Sequence, residues 1–78
     1  MINYKHLYYF YIVAQKGSIT QACEVLHLTP QTISGQLSQL EERLGLELFS
    51  KVGRGLKLTA SGNKVLEYAG QIFSIGDE

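Results

Sequence analysis

The sequence has one cysteine, one proline and no tryptophan. With Cys23 alone, no intramolecular disulfide can form. That excludes a small secreted disulfide scaffold and favours a reducing compartment. No apolar run approaches the roughly 18 residues of a membrane-spanning helix, so no membrane partner is expected. The segment Met1–His6 runs into aromatics without a small-residue cleavage site. No signal peptide is expected, and the cytoplasm is the default location. Repeats, low-complexity tracts and linkers are missing too. So is net charge: seven Lys/Arg offset seven Asp/Glu. Nucleic-acid-binding domains usually carry a basic excess, so the balance argues at first against such a partner. Net charge, however, hides charge distribution.

Catalytic chemistry is poorly supplied. Asp77 is the only aspartate. Glu41 and Glu42 are adjacent, so on a helix they point about 100° apart and form no facing carboxylate pair. They read as support for the helix that carries them. Cys23, His27 and His6 are three soft ligands without the spacing of a zinc module, so a packed cysteine and a cap-region histidine are expected. Gly53–Thr59 lacks both the spacing and the strand-to-helix context of a phosphate loop. The chain is not expected to be an enzyme; no catalytic residue, metal or cofactor is expected in it.

What is present is a single small domain. A chain of 78 residues buries only roughly 60% of the surface its unfolded form exposes, which suits a binding module better than an enclosed cavity. A first helix is predicted from about Tyr4 to Lys16, with Leu7, Phe10, Tyr11 and Ala14 on one stripe and Gly17 as its stop. Ser18-Ile19-Thr20-Gln21 fits a capping box that opens a second helix, with Ala22, Cys23 and Leu26 on its apolar face, ending near His27. Thr29 caps a third helix with Pro30 at its first position, where the missing N–H costs nothing. Ile33, Leu37, Leu40 and Leu44 share one face of it, and Gly45 ends it. So short a link between the second and third helices implies a large crossing angle, as in a helix-turn-helix. Leu48-Phe49 and Leu56-Lys57-Leu58 read as short strands around a Gly53-Arg54-Gly55 turn. Thr59 caps a fourth helix carrying Val65, Leu66, Ala69, Ile72 and Phe73 on its apolar stripe.

The third helix is the most informative. Opposite its apolar stripe stand Gln31, Thr32, Ser34, Gly35, Gln36, Ser38 and Gln39, and no acid occurs between Val25 and Leu40. A plain solvated face usually mixes charges of both signs; this one offers uncharged hydrogen-bonding groups. They suit the DNA major groove, where Gln can pair with adenine N6 and N7 and Ser or Thr with several base edges. Gly35 would let the backbone approach closely. The capped helix starts at Ser18 and Thr29 favour phosphates, because free N–H groups and the helix dipole point there. Lys51, Arg54, Lys57 and Lys64 are the only charged residues between Leu48 and Leu66. The hairpin is therefore a basic wing that could hold phosphates or enter the minor groove. The aromatics Tyr4, Tyr8, Tyr9, Phe10 and Tyr11 could stack on unpaired bases, but at helical spacing they read as packing.

These residues resemble a family. Ser18–Ala22, Leu26–Thr29, Ser34, Leu40–Gly45, Leu48-Phe49 and Gly53–Gly62 are similar, in order and in spacing, to the N-terminal DNA-binding domain of LysR-type transcriptional regulators. His6–Phe10 and Leu28–Leu37 most resemble the branch of that family that activates a sodium/proton antiporter gene. The resemblance implies a mainly α winged helix-turn-helix over residues 1–58, then from 59 to 78 the start of a long dimerising linker helix. It implies a longer natural protein with a C-terminal ligand-sensing domain. The expected activity is sequence-specific binding of double-stranded DNA at a pseudo-palindromic operator by a homodimer, with a tetramer possible for the full-length protein. Helix 30–44 would lie in the major groove and wing 50–57 on the backbone or minor groove.

Base reading is assigned to Gln31, Thr32, Ser34, Gly35 and Gln36. Phosphate contact is assigned to Ser18, Thr20, Thr29, Pro30, Ser38, Gln39, Lys51, Arg54 and Lys57. The dimer face is assigned to Val65, Leu66, Ala69, Ile72 and Phe73. Three departures from the family pattern matter. Most members read Gln-Pro where this chain has Pro30-Gln31, which moves the amide about 100° around the helix. Most carry Arg at Gly35, and an Arg in the wing where Lys51 offers a point charge rather than a fork. The rival reading is a winged-helix module that docks protein, supported by the acids Glu41, Glu42 and Glu47 and by the aromatic first helix.

Overall fold

The computed structural model describes residues 2–53 and 55–74. Three helices, α1 (Tyr4–Lys16), α2 (Ile19–Leu26) and α3 (Pro30–Leu44), precede an antiparallel hairpin of β1 (Phe49–Val52) and β2 (Gly55–Leu58). A fourth helix, α4 (Ala60–Phe73), follows. This is the expected winged helix-turn-helix.

The helix boundaries come from local chemistry. Asn3 Oδ1 accepts from the Lys5 and His6 N–H groups and starts α1. Ser18 Oγ accepts from Gln21 N–H and starts α2; of the two bonds of a capping box, this one is made. Thr29 and Thr59 cap α3 and α4 through the N–H groups of Thr32 and Gly62. Gly17 and Gly45 end α1 and α3 at φ of 70° and 69°, a left-handed conformation that costs a glycine little. His27 ends α2 in the same conformation, at φ 57°, a region where His is among the better tolerated side chains.

The core forms around α1. Leu7, Phe10, Tyr11, Ile12 and Val13 of that helix are buried with Ala22, Ile33, Leu37, Leu40, Leu48 and Ala69. The buried face of α1 is wider than its predicted stripe because α2, α3 and α4 all pack on it, and a helix covered from several sides must be apolar over most of its circumference. Fully burying one such Leu or Phe contributes about 1.5–3 kcal/mol. Phe10 meets Phe49 with ring centroids 5.3 Å apart, which seats the hairpin on α1. Among the described residues, no helix is long and apolar enough to cross a membrane.

The hairpin is shifted from its predicted position. Leu48 lies outside β1 and is fully buried, while Gly55 belongs to β2. The reason is that Leu48 gives its N–H to a side chain instead of to the opposite strand, although its carbonyl keeps the register of the hairpin. Its N–H donates to Glu41 Oε2 at 2.7 Å, and its carbonyl accepts from Thr59 N–H at 3.0 Å. Phe49 N–H adds a 3.3 Å bond to the same carboxylate oxygen. Glu41 is thus tied to the start of the wing rather than simply supporting its own helix.

Candidate nucleic-acid interface

The outer face of α3 is built as its spacing predicts, with two exceptions. Gln31, Ser34, Gly35, Ser38 and Gln39 are exposed, as are Thr29 and Pro30 at the helix start. Thr32 is half-buried, and its hydroxyl is 2.9 Å from that of Thr29, so it helps close the cap. Gln36 is half-buried too, and its Oε1 is buried without a hydrogen-bond partner. In this rotamer Gln36 cannot offer oxygen and nitrogen together, which a two-bond contact to adenine requires. The spacing contains the signal for that outcome. Gln36 lies three residues after Ile33 and four before Leu40, and both are fully buried.

The structure brings a distant phosphate candidate, Lys51, to two neighbouring ones, Ser18 and Thr20. Ser18, Thr20 and Lys51 line an open cleft of about 440 Å³, with Gly17, Ile19, Gly53, Gly55 and Leu56. Ser18 accepts from Gln21 N–H, which leaves its own O–H to donate outward. Positive potential comes from two sources here, the start of α2 and the Lys51 ammonium.

Lys57 does not join that cleft. In the hairpin Ser50 pairs with Lys57 and Lys51 with Leu56. Directly paired residues share a face, and successive residues alternate. Lys51 therefore shares a face with Phe49, Leu56 and Leu58, while Lys57 shares the other with Ser50 and Val52. The two lysines flank the wing instead of forming one patch. Val52, on the Lys57 face, is 61% exposed and puts an apolar side chain near the tip. Arg54, assigned above to phosphate contact, lies outside the described residues.

Gln39 also stands apart. It lines a second cleft, of about 630 Å³, between the start of α1 and the second half of α3, with Asn3, His6, Leu40, Glu42 and Arg43. Among the described residues, no group of three or more His, Cys, Asp or Glu is placed to hold a metal ion.

The residues assigned to a dimer face divide. Ala69 is fully buried within the chain's own core, so it offers no surface to a partner. Val65, Leu66, Ile72 and Phe73 are half-buried, packed on that core from its edge. Phe73 meets Tyr8 edge-on at 5.2 Å and Tyr11 at 5.5 Å. The aromatics of α1 divide likewise. Phe10 and Tyr11 are packed inside, and Tyr4 stands exposed.

Known proteins share this architecture. The family model described as "Bacterial regulatory helix-turn-helix protein, lysR family" matches residues 4–63. The chain is similar to the transcriptional activator protein NhaR of Escherichia coli (strain K12), with 51% identity over 77 residues, covering 99% of this chain and 26% of that protein. It is similar to the HTH-type transcriptional regulator YofA of Bacillus subtilis (strain 168), with 41% identity over 69 residues, 88% of this chain and 24% of that protein. The chain thus spans about a quarter of the length of these relatives. Among solved structures it resembles the crystal structure of a BenM_DBD/catB site 1 DNA complex, with TM-score 0.89 and 33% identity over 97% of this chain and 84% of that one. The CbnR_DBD–DNA complex gives TM-score 0.87 and 34% identity, over 97% of this chain and 87% of the other.

Proposed function

This chain belongs to the lysR family of bacterial regulatory helix-turn-helix proteins, and from that premise we propose that it binds double-stranded DNA in a sequence-specific manner as the DNA-binding part of a transcriptional regulator. The observation that carries the proposal is the uncharged, exposed face of α3, and the cleft of Ser18, Thr20 and Lys51 adds to it. Two similar solved structures are themselves DNA complexes.

In this reading α3 enters the major groove. Gln31 and Ser34 read base edges, and the backbone at Gly35 comes close to the duplex. Thr32, which closes the cap, and half-buried Gln36 contribute less to readout than their chemistry suggests. Ser18, Thr20, Thr29, Ser38, Lys51 and Lys57 meet phosphates, as does Arg54 on the sequence pattern. Two copies pair through α4 and the exposed part of α1, with residues 1–58 forming the reading head and 59–78 the start of the linker. The pair spans a pseudo-palindrome whose half-sites lie about one helical turn or a multiple apart. The protein acts in the cytoplasm and carries no catalytic role.

The rival docking module drew on the acids Glu41, Glu42 and Glu47. Glu41 now has a partner inside the chain, so that patch is diminished. A salt titration against random duplex DNA decides between the two. Log affinity falling linearly with log salt, with a slope of about −0.9 per phosphate neutralised, supports DNA binding. Absence of affinity at low salt points to the docking module. On a duplex selected from a random pool, Gln31→Ala is expected to lose about 1–3 kcal/mol and relax one base position.

A further inference from the structure

Glu41 stands where local electrostatics disfavours it. It lies in the last turn of α3, the end at which the helix dipole is negative and a carboxylate is unwelcome. Glu42 follows it, a second like charge. The carboxylate nevertheless turns to the segment after α3, where Oε2 accepts from the N–H groups of Leu48 and Phe49 at 2.7 and 3.3 Å. Hydrogen bonds donated to an ionised acceptor are roughly twice as strong as neutral ones. From the other side, Thr59 N–H donates to Leu48 O, and Thr59 Oγ1 donates to Glu47 O at 2.5 Å. The backbone at 47–49 is held by α3 on one side and by the start of α4 on the other.

We propose that Glu41 is a positioning residue for the wing: its carboxylate fixes the root of β1 to the recognition helix, so that the wing lysines stand at a set reach from the helix face that reads bases. The proposal rests on the DNA-binding reading above. A two-stranded hairpin has little stability of its own, so its angle is set by what grips its ends. β1 spans only four residues between the Glu41 anchor and the turn. A small rotation at Phe49 is carried to Lys51 and, across the ladder, to Lys57. Without the anchor, α3 still reads bases, but the two wing lysines no longer meet their phosphates together.

The test is a mutant cycle on a selected duplex across a salt series, using the parent chain, Glu41→Ala, Lys51→Ala/Lys57→Ala and the triple variant. In the parent, removing both lysines is expected to weaken binding about tenfold and to lower the salt slope by about two. In the Glu41→Ala background the same removal is expected to change affinity less than about twofold and leave the slope unaltered. Glu41→Gln keeps an acceptor of the same shape and is expected to restore most of the lysine effect. If Glu41→Ala does not fold, Glu41→Met fills the same space without an acceptor and takes its place. An equal lysine effect with and without the carboxylate overturns the positioning role while leaving DNA binding intact. A lysine pair without effect in a parent chain that binds also overturns the positioning role, because the wing then meets no phosphate, whereas a parent chain that binds no duplex overturns the DNA-binding reading.

Discussion

Gly62 in α4 and Gly35 in α3 are the same residue in opposite surroundings. A Cβ on Gly62 would sit 2.1 Å from the Leu48 carbonyl oxygen and 3.0 Å from both Leu48 C and Leu58 Cδ2. A Cβ on Gly35 would have nothing within 4 Å. The first glycine lets the start of α4 press onto the root of the wing. The second lies on the exposed polar face of α3, where nothing among the described residues requires it. Glycine weakens a helix by about 0.5–1 kcal/mol relative to alanine, so its use calls for a reason. For Gly62 the reason is inside the fold. For Gly35 no reason is found among the described residues, and in the proposed reading its face is the one that DNA approaches.

The contrast is open to direct attack at its stronger end. Gly62→Ala is expected to destabilise the chain by about 3 kcal/mol or more, because the clash is with backbone and no side-chain rotation relieves it. Urea unfolding measures this, and a loss below about 1 kcal/mol would show that the α4–wing contact gives easily. A smaller loss, about 1–2 kcal/mol, is expected for Thr59→Ala. That change removes both the bond accepted from Gly62 N–H and the bond donated to Glu47 O. Thr59→Ser keeps both bonds and should recover most of the stability. If Ser were no better than Ala, the threonine methyl rather than its hydroxyl would be what matters.

Much of this was legible because helix ends announce themselves locally. Ser18, Thr29 and Thr59 cap the helices they were expected to cap, and Gly17 and Gly45 end theirs. The third helix placed its polar face outward for the same reason, a 3.6-residue period over buried Ile33, Leu37 and Leu40. What local reading missed depends on distant partners. Leu48-Phe49 looked like a strand as an apolar pair, yet Leu48 is drawn into the core by Glu41 and Thr59, which no period encodes. The apolar stripe of α4 was plain, but a stripe does not say what covers it; for Ala69 the answer is the chain's own core. Gln36 was readable in principle, since its offsets from Ile33 and Leu40 put it at the edge of the buried face.

The smallest expected effect tests the outward half of the contrast. Gly35→Ala should raise stability by about 0.5–1 kcal/mol, since the new methyl meets nothing and the unfolded chain loses freedom. A few degrees of melting temperature would register it. If the glycine serves only the fold, affinity for a selected duplex should not change. If it makes room for DNA, the methyl should weaken binding several-fold even as the chain becomes more stable. Opposite signs in the two measurements are the expected result, because the lost helix stability then has a function. A more stable variant that binds as well as the parent would mean that Gly35, unlike Gly62, answers to no contact at all.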